Sequence, residues 1–348
     1  MKARRTQLPF LSIPFIEEVK KTYQDLVTDV HPFGDSFFEQ FGIGNVPSNP
    51  DFPYERFCDY EELLKLLHRE DPDKYQLIHK GTPFYHMSWL AFDFRDFEKA
   101  LFYIDAAISE DIRAHQHTRT PDEWLQLPGS AILTFRDSQQ QVAQRTIVEI
   151  KDCLLEQLER FNSISGQKNW TLEDFINRFV RCLLRDNTKR TIVTAFYVFL
   201  MEFKDRLTQL QLRSAIGGSI APFTGHLFSG ALIFESLLKA CYPDITKTIT
   251  KVTKKVKPET LGDILWSDEF EQDFSLRVSG IRSSSLEEIL GGITDDTAET
   301  AFRTAGKLRN TTGHNLIWND VFDCQENYQK LYHQIVNAIL YLIAKKFV

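Results

Sequence analysis

The 348-residue chain is 43% hydrophobic and 26% charged, with 16 Gly and 13 Pro, a balance that supports one large or two ordinary domains and excludes a disordered chain. No apolar run approaches the ~20 residues of a membrane span, and the basic start MKARR reaches Glu17 and Glu18 without a long apolar segment or a small-residue cleavage site, so a cytoplasmic address without membrane partners is expected. The formal charge of −7 is uneven, with 14 Lys and Arg against 20 Asp and Glu in residues 1–120 and 27 against 28 in the rest, so an acidic N-terminal part directs any polyanionic partner to the C-terminal part.

In chain order, helical spacing of apolar residues predicts helices in FIEEVKKTYQDLV, YEELLKLLHRE, QVAQRTIVEIKDCLLEQLERF, TLEDFINRFVRCLLRD, AETAFRTAGKL and ENYQKLYHQIVNAILYLIAKKF. In the last, Tyr328, Leu331, Ile335, Ala338, Ile339 and Leu342 form one stripe. The runs TIVTAFYVFLMEF and IVNAILYLIAKKFV fit buried helices. Thr171 followed by Asp174 has the spacing of a capping box and marks a fresh helix start after the NSISGQKN loop. Strand-like alternation is scarce. The expected fold is all-α: a helical N-terminal domain over 1–165, a boundary in that loop, and a helical bundle over 170–348. The five cysteines are scattered with no C-x-x-C pair, and read as reduced core residues without a disulfide or zinc role.

Within the N-terminal part, residues 81–112 carry a helical hairpin. Asp96 and Phe97 begin its second helix, Ala100 and Ala107 are small residues seven apart, and Ile104 lies between them. The pattern resembles a tetratricopeptide-type helix pair, with Met87, Ser88 and Ala91 where Leu, Gly and Tyr are more usual, and it has no second copy at the ~34-residue period. An ordinary packed hairpin and a groove that takes a regulatory peptide or ligand both fit.

The stretch KLRNTTGHNLIW, Lys307 to Trp318, breaks a helical pattern with Asn, Thr and Gly, all poorer helix formers than Ala. Arg309 and His314 stand five apart, which on an unbroken helix would set them ~140° apart. If Asn310, Thr311, Thr312 and Gly313 end the helix, the imidazole swings back toward the guanidinium. Arg supplies a planar fork of permanent donors for a phosphodiester, and His titrates near neutrality. The pair suffices for RNA cleavage without a metal or other cofactor: the 2′-hydroxyl attacks phosphorus, His moves a proton, and Arg stabilises the phosphorane, leaving a 2′,3′-cyclic phosphate. Nine histidines and twenty arginines in 348 residues give about 0.5 chance occurrences of R-x4-H, and requiring Asn after Arg cuts this to roughly 0.03.

The RNTTGH motif, with Arg309, Asn310 and His314, resembles that of the HEPN domains of prokaryotic immunity and toxin systems. These are α-helical ribonucleases marked by R-x4–6-H, often with a polar residue after the Arg. The resemblance covers roughly 170–348. It implies Arg309, Asn310 and His314 as catalytic residues, a composite site at a homodimer interface, RNA as substrate and a role as defence or toxin effector. Many members carry a Glu and a Lys four residues later on an upstream helix, and Glu235 and Lys239 stand at that spacing here, which puts both on one helix face. A lysine cluster follows, Lys247, Lys251, Lys254, Lys255 and Lys257, of which Lys251, Lys254, Lys255 and Lys257 are the expected contacts to RNA backbone; a solvated basic loop is the plainer reading. Arg309 and His314 as a helix-end pair, Glu235 and Lys239 as a solvated i,i+4 pair, a non-catalytic RNA- or nucleotide-binding regulator, and a helical interaction scaffold remain the alternatives. His226 and His333 have no evident partner in the sequence and read as structural or surface residues.

Overall fold

The computed structural model describes residues 53–347 except 71, 116–119, 139–140, 167–168, 213–218, 250–251, 283–284 and 312–319. The expected helix FIEEVKKTYQDLV lies outside the described residues. Those that are described are mostly helical, and they divide into two compact units: one takes in the chain up to Glu149 together with Leu184–Thr194, the other Ile150–Leu183 with Ala195–Val348. No described helix is long and apolar enough to cross a membrane.

The first unit is built on α1 (Pro53–Glu70), α2 (Gly81–Asp93) and α3 (Phe97–His115). Helices α2 and α3 form the hairpin expected over 81–112. The turn between them is a left-handed cap: Arg95 takes φ 63°, its N–H donates to Phe92 O at 3.0 Å, and Asp96 N–H donates to Ala91 O at 2.9 Å, which satisfies carbonyls that the helix end leaves unpaired. Asp96 then accepts from Lys99 N–H at 3.0 Å and starts α3. Ala100, Ile104 and Ala107 are all buried, so the small residues do line the packed face. Arg190, the first residue of α5 (Arg190–Leu212), is only 1% exposed. It pairs with Asp105 and donates to Ser109 Oγ at 2.6 Å and Asn187 Oδ1 at 3.1 Å, so each nitrogen of its buried guanidinium has an acceptor.

The helix α4 (Gln141–Ser165) runs through residue 149, where the first unit gives way to the second. In the second unit, Thr171 Oγ1 accepts from Asp174 N–H at 3.0 Å while Asp174 accepts from Thr171 N–H at 3.3 Å, the reciprocal cap expected there. The helix that follows widens into a π turn over Phe175–Val180, which turns Phe175, Phe179 and Val180 all inward. The core of this unit is α10 (Gln325–Lys346), packed against α6 (Ala221–Cys241) and α9 (Ala298–Thr311). The six residues of the expected stripe are buried, yet every residue from Gln334 to Ala344 is buried as well. The segment Gln334–Ala344 is thus enclosed on all sides, as the reading of IVNAILYLIAKKFV as a buried helix expected. Two of its polar residues survive there through Asp296, whose Oδ1 accepts from Gln334 Nε2 at 2.8 Å and Asn337 Nδ2 at 3.1 Å.

Helices α5, α6 and α10 meet at Gly230. A Cβ there would stand 2.4 Å from the Phe199 ring and 2.9 Å from Ile335, so glycine is what lets the three helices approach. Beside it His226 stacks on Phe199, with ring centroids 4.4 Å apart. Its Nε2 lies 2.8 Å from Phe199 O and its Nδ1 2.6 Å from Tyr328 OH. A carbonyl only accepts, so Nε2 carries the proton and Nδ1 accepts from the tyrosine. Of the two readings of His226, structural or surface, the buried structural one is correct.

Two expectations need correction. The stretch after Cys241, read as a basic loop, forms an antiparallel hairpin of β1 (Ile245–Ile249) and β2 (Val252–Val256), with Thr246 opposite Lys255 and Lys247 opposite Lys254. The β-branched Ile, Thr and Val between its lysines favour extended backbone, and Glu269 of α8 (Asp268–Phe274), the helix after α7 (Leu261–Leu265), clamps the start of β1, accepting from Thr246 N–H at 3.0 Å. Of the cysteines, Cys153 is buried, but Cys182 and Cys324 are exposed, so the core reading fails for those two.

Candidate functional site

Helix α6 carries the site's acid. Glu235 is buried, its side chain 7% exposed, and each carboxylate oxygen takes a separate cation. Lys239, one helical turn on, reaches Oε1 at 2.7 Å. Arg309, in the last turn of α9, donates from Nε to Oε2 at 2.6 Å. Burial alone would raise the Glu235 pKa; the hydrogen bonds and charges of Lys239 and Arg309 outweigh it and hold the carboxyl below its ordinary value. The glutamate is thus an anion that fixes one edge of the Arg309 guanidinium. Arg309 itself is 40% exposed along its side chain, and its cationic head sits where the C-terminus of α9 favours positive charge.

Asn310 faces a different task. Its Nδ2 donates to the backbone carbonyl of Ile281, and its Oδ1 accepts a 3.4 Å contact from Arg309 Nη1. Ile281 in turn leaves no room for a side chain at Gly306, where a Cβ would lie 2.9 Å from Ile281 Cγ2. The segment through Ile281 is therefore locked to the last turns of α9, and Asn310 holds that lock while it braces the arginine.

The structure brings together Glu235, Lys239, Arg309 and Asn310. The helix α9 runs to Thr311; His314 and the rest of Thr312–Asn319 lie outside the described residues, as do Lys251 and the side chains of Lys247 and Lys254. Lys255 and Lys257 are exposed at and beyond the end of β2. Among the described residues no group of three or more His, Cys, Asp or Glu is placed to hold a metal ion. The sequence did not show the Ile281 carbonyl as Asn310's partner, because a backbone acceptor 29 residues away leaves no mark in residue type or spacing.

Chemically, the arrangement offers a preorganised guanidinium, oriented by a buried carboxylate and backed by a second cation, with a titratable imidazole five residues along the chain. No protein-family model, no curated protein and no solved structure matches the chain.

Proposed function

We propose that this protein is a metal-independent endoribonuclease in which Arg309 and His314 act together on the phosphodiester and leave a 2′,3′-cyclic phosphate. One observation carries the reading: Glu235 Oε2 holds Arg309 Nε at 2.6 Å from a buried position, while the arginine stays 40% exposed. A purely structural ion pair has no need to keep its cation accessible. A guanidinium that must meet a developing phosphorane does, and it gains from being oriented before the charge appears.

His314 is the proton-transfer group in this scheme, since an imidazole changes protonation near neutral pH. The exposed Lys255 and Lys257, with Lys251 and Lys254, neutralise RNA backbone phosphates without reading sequence. Cleavage benefits from a base at the 2′-hydroxyl and an acid at the leaving oxygen. Two chains paired about a twofold axis supply both, because an isologous interface presents the same surface from each partner. The resemblance to HEPN domains implies the same dimer and suggests a prokaryotic defence or toxin effector.

Mixing Arg309→Ala chains with His314→Ala chains tests the composite site. A mixed dimer holds one Arg309 and one His314, so RNase activity above either variant alone but below wild type is the expected result. A monomeric mass in solution with full RNase activity overturns the dimer.

A further inference from the structure

A cavity of about 490 Å³ opens beside the hairpin, between the start of β1, α7 and the start of α8, and Thr246, Gly262, Asp263, Trp266, Asp268 and Arg277 form most of its wall. Its volume is within the range of small-molecule sites. Trp266 is 52% exposed, the one exposed tryptophan among the described residues. A half-bare indole gives up much of what burying a large aromatic contributes to folding, so its place in a cavity wall calls for a partner.

The cation beside it is fixed. The Arg277 guanidinium carbon lies 5.6 Å from the indole centroid, within cation–π range. Its Nε donates to Glu271 Oε2 at 2.9 Å, and its Nη2 donates to Asp268 Oδ1. Two carboxylates thus answer its charge. With Asp263 also in the wall, the cavity holds no excess positive charge to offer a phosphate. Asp268 is 59% exposed along its side chain; it gives Arg277 only Oδ1 and keeps Oδ2 for another donor. The wall therefore offers an accessible indole and a solvent-accessible carboxylate. An uncharged nucleobase matches both, with a face that stacks on the aromatic ring and N–H donors on its Watson–Crick edge. That edge is open only in an unpaired base.

Two neighbours relate the cavity to RNA. Thr246 in its wall stands opposite Lys255 across the hairpin, an exposed lysine, so charge for backbone phosphates adjoins a wall that repels them. At Gly262 a Cβ would lie 3.5 Å from Ile281 Cδ1, and at Gly306 a Cβ would lie 2.9 Å from Ile281 Cγ2. One side chain therefore separates the cavity from the last turns of α9, which carry Arg309.

We propose that this cavity takes an unpaired nucleobase of single-stranded RNA, stacked on Trp266 with its polar edge toward Asp268, while the lysines of the hairpin hold the adjoining phosphates. The inference rests on RNA as the ligand proposed above, but not on its cleavage.

Fluorescence anisotropy of the full chain with labelled 2′-O-methyl RNA is the test, because the blocked 2′-oxygen prevents cleavage. A single strand is compared with an abasic strand of the same length, with a duplex and with mononucleotides. The single strand should bind at least about fivefold more tightly than the abasic strand. Trp266→Ala, at an exposed position, should weaken single-strand binding by about fivefold to a hundredfold, the range for losing one stacked base, and should leave the abasic strand unaffected. Trp266→Phe, which keeps a stacking ring, should retain most of the affinity. Equal binding of the base-bearing and abasic strands, undiminished binding in Trp266→Ala, or tighter binding of a mononucleotide than of the strand overturns the proposal. Strands bound through Trp266 but never cleaved in their 2′-hydroxyl form would sink the nuclease reading and leave this one standing; strands cleaved as well by Trp266→Ala and bound equally without bases would sink this one alone.

Discussion

Replacing His226 by Gln removes a titrating group from the centre of the second unit. The wild-type imidazole is 3% exposed, and burial lowers its pKa from the ordinary 6.5 to about 3, against a smaller opposing effect of the Phe199 carbonyl. In the unfolded chain the same imidazole takes up a proton near its ordinary pKa. The unfolded state therefore binds more protons between the two values, and stability falls as pH falls through that window. The contribution is complete above about pH 6.5 and is lost progressively toward pH 3. Between about pH 7.5 and pH 5 the loss from this one residue is about 2 kcal/mol, at 1.36 kcal/mol per pKa unit. Carboxylates titrate in the same range, so the measurable quantity is the difference between wild type and His226→Gln. Urea unfolding of both proteins at both pH values gives it. The variant should be less stable at pH 7.5, because Tyr328 OH and Phe199 O lose their geometry, and it should lose about 2 kcal/mol less than wild type on acidification. Equal acid losses in the two proteins would refute the buried neutral imidazole.

Gly230→Ala puts a methyl 2.4 Å from the Phe199 ring, and should destabilise by about 1–3 kcal/mol as overpacking does, measured by the urea midpoint at unchanged slope. Asp105→Ala leaves the 1%-exposed Arg190 without its carboxylate and should cost about 3 kcal/mol, whereas pairing Asp105→Leu with Arg190→Met recovers most of it; thermal unfolding of wild type and the two variants separates the cases. Joint replacement of Lys251, Lys254, Lys255 and Lys257 by Gln should weaken RNA binding and flatten its dependence on salt, with each lost phosphate contact removing roughly 0.7 from the slope for single strands. An unchanged slope in filter-binding titrations would return the hairpin to an ordinary surface element.

The parts of the site that a sequence displays are those separated by a helical period. Glu235 and Lys239 are one turn apart, so their pairing at 2.7 Å follows from spacing. Arg309 joins them across 74 residues, and it is the packing of α6 against α9 that brings them together, a tertiary fact without a local signature. The same limit explains Gln334 and Asn337. Both fall off the apolar stripe of α10, and Asp296, on a separate segment, accepts the hydrogen bonds that keep them buried. His226 carried no visible partner because one is a backbone carbonyl and the other a tyrosine 102 residues away. The hairpin was missed for a different reason. Four lysines among its β-branched residues, with Lys257 just beyond, gave a polarity signal that outweighed the apolar Ile245, Ile249, Val252 and Val256.

Arg309 and His314 are proposed to cleave RNA without a metal. The most direct test is incubation of the purified protein with tRNA and with single-stranded RNA in EDTA, followed by analysis of the product ends. Cleavage is expected to persist in EDTA, to leave a 2′,3′-cyclic phosphate, and to fall by at least about 10²-fold in folded Arg309→Ala and His314→Ala proteins. Cleavage that stops in EDTA, or that continues at the wild-type rate in either folded variant, would contradict the proposal.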